Sequence, residues 1–227
     1  MLLSFSIPTA GGAAALDVAI DHFVIAGWAG RDHAAIEHHI EELAAIGVPR
    51  PTAVPLFYRV AANQLTQENC LQMVGPDSSG EVEVLLFSHA GRSYVSLTSD
   101  HTDRKLESHS VALSKQLCAK PVAREAWPLD EVLPHWDSLR IVSTITEDGR
   151  EVEYQNGTLD SLREVRDLAL RHTGQPQLPD GMAMSCGTVP VIGGIRPATS
   201  FGMMLVDERL GRRLAHRYTV ECLPVVA

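Results

Sequence analysis

Between Gly80 and Arg104 the chain reads GEVEVLLFSHAGRSYVSLTSDHTDR, two strand-like runs that meet at Ala90-Gly91. No other stretch restricts the fold so tightly. With Ala90-Gly91 as a two-residue turn, Glu81 faces Asp100 and Glu83 faces Thr98 across the hairpin. Side chains alternate faces along a strand. One face then carries Val82, Val84, Leu86, Val95 and Leu97, a core surface, and the other carries Glu81, Glu83, Leu85, Tyr94, Ser96, Thr98 and Asp100. Facing Cβ atoms lie about 4.5–5.5 Å apart, so three carboxylates share one patch. Two of them at about 5 Å repel by roughly 3 kcal/mol at an effective dielectric of about 20. Relief comes from protonating one group, from a Lys or Arg, or from a divalent cation. An all-oxygen trio with places left for water or substrate suits Mg2+ or Mn2+ better than zinc. An exposed hairpin face edged with charge would carry the same letters, and a one-residue slip would move every side chain to the other face.

The rest of the chain sets the frame. Its 227 residues are 45% hydrophobic and 21% charged, too apolar for a disordered chain and sized for one catalytic domain. Within it, residues 1–60 would supply N-terminal strands and a helix, and 61–227 a β-rich roll with the metal site. Nineteen basic against 28 acidic side chains give a net charge of −9. With no Lys/Arg stripe, this disfavours a nucleic-acid or anionic-membrane partner. No apolar run approaches the roughly 20 residues of a membrane helix. Met1–Ile7 lacks the basic flank of a signal peptide, so the expected location is cytoplasmic. Cys70, Cys118, Cys186 and Cys222 show no C-x-x-C spacing and read as free thiols.

Strands are expected at Leu2–Ile7 and Leu16–Ile25 around Gly11-Gly12, and at Val54–Val60. The 139–146 and 151–155 runs flank Asp148-Gly149, a hairpin signal. Two closing strands follow at Phe201–Val206 and Arg212–Val220. A helix is expected over Asp32–Ile46, capped by Asp32 and stopped at Gly47 before Pro49 and Pro51. Leu106, Leu113 and Leu117 have helical spacing, as do Leu162, Val165 and Leu168 ahead of Gly174. Ser185–Thr199 reads as a loop. Without repeated strand–helix alternation, the class is α+β and β-rich rather than a doubly wound sheet.

The Asp32–Ile46 helix offers two His-x-x-Glu pairs. Ile36, Ile40 and Leu43 mark its buried stripe, which leaves His39 and Glu42 beside the stripe and His38 and Glu41 pointing away. Glu42 could orient the His39 imidazole and raise its basicity; a His-rich exposed helix is the bland alternative.

Six short motifs, in order, resemble the fumarylacetoacetate hydrolase family: His39–Glu42, Glu81-Val82-Glu83, Asp100-His101-Thr102-Asp103-Arg104, Lys115, Gln155-Asn156-Gly157-Thr158 and Gly187-Thr188-Val189-Pro190. The resemblance spans roughly residues 35–222 and is nearest to a bacterial branch known only as a domain of unknown function. It implies a mixed β-sandwich roll like that family's C-terminal domain, often a homodimer. It further implies Mg2+ or Mn2+ held by Glu81, Glu83 and Asp100, the trio that the hairpin also gathers. His39 with Glu42 would activate a water, and Lys115 would neutralise a developing oxyanion. Gly187 and Thr188 would suit a substrate carboxylate, with Arg196 as a second grip; Arg59 stands where relatives often have a lysine. Each of these has a plain structural alternative, a solvated lysine or a Gly/Pro turn. Arg104 could be structural, paired with a local acid. The implied reaction is hydrolysis of a C–C bond in a small 2-oxo acid or acylpyruvate-like 1,3-dicarbonyl. Decarboxylation, hydration or isomerisation of an oxo acid is the alternative use of the same site.

Overall fold

The computed structural model describes residues 1–9, 11–45 and 50–226. Two hairpins with positive-φ turns form its centre. Ala90 (φ 51°) and Gly91 (φ 74°) join Val82–His89 to Arg92–Ser99, with Val82 opposite Ser99 and Glu83 opposite Thr98. Asp148 (φ 48°) and Gly149 (φ 74°) join Arg140–Glu147 to Arg150–Thr158. Such turns match the twist of the strands they connect.

Each hairpin seeds a sheet. The first lies in a six-stranded sheet that runs Trp127–Pro128, Arg92–Ser99, Val82–His89, Met182–Ser185, His22–Gly27, Leu56–Val60. The second lies in a five-stranded sheet ordered Arg150–Thr158, Arg140–Glu147, Ser200–Asp207, Arg212–Leu223, Cys70–Val74. The sheets pack face to face over Val82, Val84, Leu86, Val95 and Leu97 on one side and Ile141, Met203, Leu205 and Tyr218 on the other. The far face of the six-stranded sheet is covered too. Leu3, Phe5, Ile7 and Val18 of the Leu2–Thr9/Gly12–Ala19 hairpin close over Phe23, Ile25, Leu85 and Phe87. A strand buried on both faces reads as a nearly continuous apolar run, which is why VEVLLF lacks clean alternation. The architecture is the expected β-rich α+β sandwich roll, and no helix among the described residues is long and apolar enough to cross a membrane.

Three elements differ from expectation. The predicted Leu16–Ile25 strand is two strands, because Asp21 and His22 both donate to the Gly181 carbonyl (2.8 and 3.0 Å) and the chain passes there from one sheet to another. The helix after Leu162 begins only at Val165 and ends at Thr173, with Gly174 left-handed at φ 77°; Leu162 is buried in a preceding loop. Leu113 and Leu117 are exposed (59% and 47%) on a short helix, Val111–Leu117, whose buried side chains are Ser114 and Lys115. The inward face of that helix is taken by an ion pair instead of an apolar stripe. At the other long helix, His33–Ala45, Asp32 Oδ1 accepts from the Ala34 amide at 2.9 Å, the capping that favours Asp before a first turn. Ile36 and Ile40 are buried; the side chain of Leu43, and Ile46, Gly47 and Pro49, fall outside the described residues.

Candidate metal centre

The open end of the first hairpin carries the acidic trio. The Asp100 amide donates to the Glu81 carbonyl at 2.9 Å, extending the ladder by one pair and setting both side chains on the Glu83 face. Carboxylate oxygens of Glu81, Glu83 and Asp100 lie within 4.8 Å of one another. Glu83 (3% exposed) and Asp100 (1%) are inside the protein, so the exposed-face alternative is excluded.

The three carboxylates are held differently. Glu83 Oε2 accepts from Ser185 Oγ (2.5 Å) and from the Gly187 amide (2.9 Å). Burial, reinforced by the Asp100 charge and opposed by the Ser185 hydrogen bond, pushes its carboxyl up to about 8. For Asp100 burial acts in the same direction, but Lys115 and Lys120 outweigh it and hold the group well below the usual carboxylate range. Lys115 Nζ donates to Asp100 Oδ2, and Lys120 Nζ is 3.2 Å from Oδ1 and donates to the His101 carbonyl. Burial alone would lower Lys115; the Asp100 and Glu81 charges reverse this and raise it. Lys120, fully buried, stays lowered because desolvation exceeds the Asp100 attraction. Glu81 lies 3.2 Å from Arg104, which also binds Glu107 (3.0 Å) and Ser79 Oγ (2.7 Å). Arg104 is therefore tied to local acids.

Two supports fix this geometry. Gln155 accepts from the Val82 amide (3.0 Å) and Ser143 Oγ (2.9 Å), and donates to Thr188 Oγ1 and the Val189 carbonyl (both 2.7 Å). It clips the two sheets and the Gly187–Pro190 loop together. Behind Asp100, Tyr218 donates to Ser99 Oγ (2.9 Å) and meets His101 Nδ1 (2.9 Å), while His101 Nε2 meets Ser78 Oγ (2.9 Å). Tyr218 has one proton and gives it to Ser99, so the self-consistent tautomer protonates Nδ1 and leaves Nε2 to accept from Ser78. Burial, with Lys120 and Arg104 nearby, lowers His101 to about 3, so it is neutral.

The structure brings together Glu81, Glu83, Asp100 and Lys115. Gly187 and Thr188 adjoin them, but the Gly187 amide and the Thr188 hydroxyl are engaged inside the protein. The Gly187 amide is bound to Glu83 and the Thr188 hydroxyl donates to the Val82 carbonyl at 2.6 Å, which leaves neither free for the substrate carboxylate of the sequence reading. Gly187 is needed as glycine, since its φ is 89° and a Cβ would meet the Ala29 Cβ at 2.7 Å. Arg196 is engaged elsewhere, by Glu147, by the Ile192 and Gly194 carbonyls (2.8 Å each) and over the Tyr154 ring. Arg59 contacts His22, on the strand face opposite Tyr58, and it is Tyr58 whose ring lies 5.6 Å from Lys115 Nζ. His39 and Glu42 sit on the His33–Ala45 helix, and their side chains lie outside the described residues. Lys120, His101, Ser185 and Tyr58 escaped the sequence reading. Only Lys120 left a signal, a lone charge in the stretch Cys118-Ala119-Lys120-Pro121-Val122-Ala123.

Fold and site together define a β-rich sandwich roll with a buried, all-oxygen acidic pocket suited to a hard dication. The chain belongs to the family described as a protein of unknown function, DUF2848, which matches residues 26–218. No curated protein matches the sequence. Among solved structures, Cg1458 is similar over 98% of this chain and 100% of its own (TM-score 0.63, 11% identity). A 2-keto-3-deoxy-D-arabinonate dehydratase complexed with magnesium and 2,5-dioxopentanoate is similar over 91% of this chain and 74% of its own (TM-score 0.61, 13% identity). The 4-oxalocrotonate decarboxylase from Pseudomonas putida G7, complexed with calcium and acetate, is similar over 87% and 76% (TM-score 0.54, 17% identity). At these identities the likeness is one of fold.

Proposed function

We propose that this protein is a divalent-metal-dependent lyase of small 2-oxo acids, removing water or carbon dioxide from its substrate. The observation that carries the reading is the convergence of Glu81, Glu83 and Asp100 in a buried pocket beside two lysines. It is supported by a fold shared with a dehydratase and a decarboxylase seen with divalent cations. Those two chemistries favour a lyase over the C–C hydrolysis implied by the family resemblance.

The donor set fits a hard dication. All three ligands are oxygens, and Glu83 Oε2 is already oriented by Ser185 and Gly187, as second-layer hydrogen bonds orient metal ligands. Mg2+ or Mn2+ suits such a site. When bound, the cation polarises the carbonyl of a chelating 2-oxo acid.

The chain's own groups do the rest. Glu83 gives up its proton when the site is loaded. Asp100 would share its charge between the cation and its lysines, and Lys115 Nζ would then be placed to stabilise negative charge developing on the substrate oxygen. Tyr58 packs against that ammonium and helps exclude water. His39, oriented by Glu42, would take the proton from the carbon next to the carbonyl in a dehydration and pass it to a hydroxyl on the following carbon, which leaves as water while the double bond forms between the two carbons. In a decarboxylation the bond from that carbon to a carboxylate it carries would break instead, carbon dioxide would depart, the electron pair would pass into the enolate, and His39 would deliver a solvent proton to the same carbon.

The test is a panel of 2-oxo acids, including 3-deoxy-2-oxo sugar acids and oxaloacetate, incubated with Mg2+ or Mn2+. Turnover that disappears with EDTA and in Glu83→Gln is expected. Turnover that persists in both would overturn the reading.

A further inference from the structure

The hairpin of Leu2–Thr9 and Gly12–Ala19 is finished differently along its two edges. Met1 and Ile20 exchange both of their hydrogen bonds (2.7 Å each). Hydrogen-bonded and non-hydrogen-bonded pairs alternate along an antiparallel ladder. Leu3–Val18, Phe5–Leu16 and Ile7–Ala14 are therefore the bonded pairs, and the backbone groups of Ser4, Ser6, Ala13, Ala15 and Asp17 point away from the ladder. On the first strand these outward groups are occupied. The Ser4 amide donates to Gln67 Oε1 and its carbonyl accepts from Gln67 Nε2 (2.9 Å each). The Ser6 amide donates to the Arg124 carbonyl (2.8 Å), and its carbonyl accepts from the Ala126 amide (3.2 Å). Pro8 has no N–H to offer.

The second strand has no such cover. The outward N–H and C=O groups of Ala13, Ala15 and Asp17 are bonded to no other described residue. The edge runs from Gly12 to Ala19 without a bulge, a proline, a lysine or an arginine, the devices that keep strand edges apart. Its one charge, Asp17, lies on the face of the hairpin, where Ser4 Oγ donates to it at 2.6 Å. Pro8, Thr9 and residues 11–15 are all exposed, so the tip stands clear of the sandwich.

We propose that two copies of the chain associate through this edge, Gly12–Ala19 pairing antiparallel with its counterpart across a two-fold axis to form a four-stranded ribbon. A second copy fits because the segment is complementary to itself. With Ala15 opposite its own counterpart, Ala13 faces Asp17 and Ala14 faces Leu16 across the axis. The outward-pointing pairs then exchange two hydrogen bonds each. The half-buried Leu16 of each copy covers the exposed Ala14 of the other, and the two Asp17 carboxylates stay apart at opposite ends. The hairpin supplies no ligand to the carboxylate pocket, so association is independent of the metal reading.

Sedimentation velocity on the full chain over a concentration series tests this. A monomer–dimer equilibrium in the micromolar range is expected, since a ribbon contact is smaller than a standard interface. Ala15→Pro deletes an N–H that the hairpin itself does not use, at an edge position where proline is tolerated; it should weaken the dimer at least about tenfold. Ala15→Lys and Ala15→Glu each set like charges face to face. Each should be monomeric alone, and a one-to-one mixture of the two should restore the dimer. Circular dichroism matching the parent confirms that each variant is folded. A parent that stays monomeric throughout the series, an Ala15→Pro variant that dimerises as tightly as the parent, or a mixture that remains monomeric overturns the proposal.

Discussion

The two central hairpins are built from the same local code and end with opposite electrostatics. Each has a two-residue turn at positive φ and a Glu-x-Glu pair, Glu81 and Glu83 at the start of one strand and Glu151 and Glu153 within another. In the Arg140–Thr158 hairpin, Glu151 (52% exposed) meets Arg217 (48%) and Glu147 meets Arg196 in solvent. In the Val82–Ser99 hairpin, Glu83 and Asp100 are buried, Glu83 against Ser185 and Gly187 and Asp100 against Lys115 and Lys120, and the balance of charge comes from Lys115, Lys120 and Arg104. The strand pattern decides which carboxylates share a face. Whether that face becomes a site is decided by what covers it.

Four substitutions would break or sharpen this contrast. The largest effect is expected from Asp100→Ala, which strands two lysines of 8% and 0% side-chain exposure. Removing one partner of a buried ion pair costs about 3–5 kcal/mol, measurable by urea denaturation of the metal-free protein. Next is Gly187→Ala. The new Cβ meets Ala29 at 2.7 Å in a left-handed backbone, and a loss of about 1–3 kcal/mol is expected, together with weaker Mn2+ binding as the amide leaves Glu83.

Glu83→Gln gives a pH signature. The folded protein holds the Glu83 proton more tightly than the unfolded chain does. Its stabilising contribution is therefore present below about 4.5 and is lost as the pH rises towards about 8. The metal-free parent should lose stability across that window, Glu83→Gln should flatten the loss, and Mn2+ binding to the parent should release a proton near neutral pH. The smallest effect belongs to the exposed hairpin, where Glu151→Ala should change stability by less than about 1 kcal/mol and leave Mn2+ affinity untouched.

Much of this contrast is legible in the sequence, because hairpin registers are local. The Ala90-Gly91 and Asp148-Gly149 turns fix which residues face each other, and Glu81, Glu83 and Asp100 follow from alternation alone. Lys120 and Ser185 reach the site through long-range pairing, since Met182–Ser185 lies directly beside the Val82–His89 strand about a hundred residues earlier and Lys120–Pro121 pairs with Leu65–Thr66. Leu113 and Leu117 show the opposite failure. Helical spacing marks an apolar face but does not say which face turns inward, and here the buried one carries a lysine. Gly187 and Thr188 are placed near the trio by the family resemblance, yet their donors serve Glu83 and Val82, a detail of loop geometry that no motif encodes.

Titration of EDTA-stripped protein with Mn2+, followed by electron paramagnetic resonance, addresses the acidic trio most directly. One tightly held ion per chain is expected, lost in Glu81→Gln, Glu83→Gln and Asp100→Asn variants that keep the parent's circular dichroism. Binding that survives all three substitutions, or no binding to the parent, would contradict the assignment of these carboxylates as a metal centre.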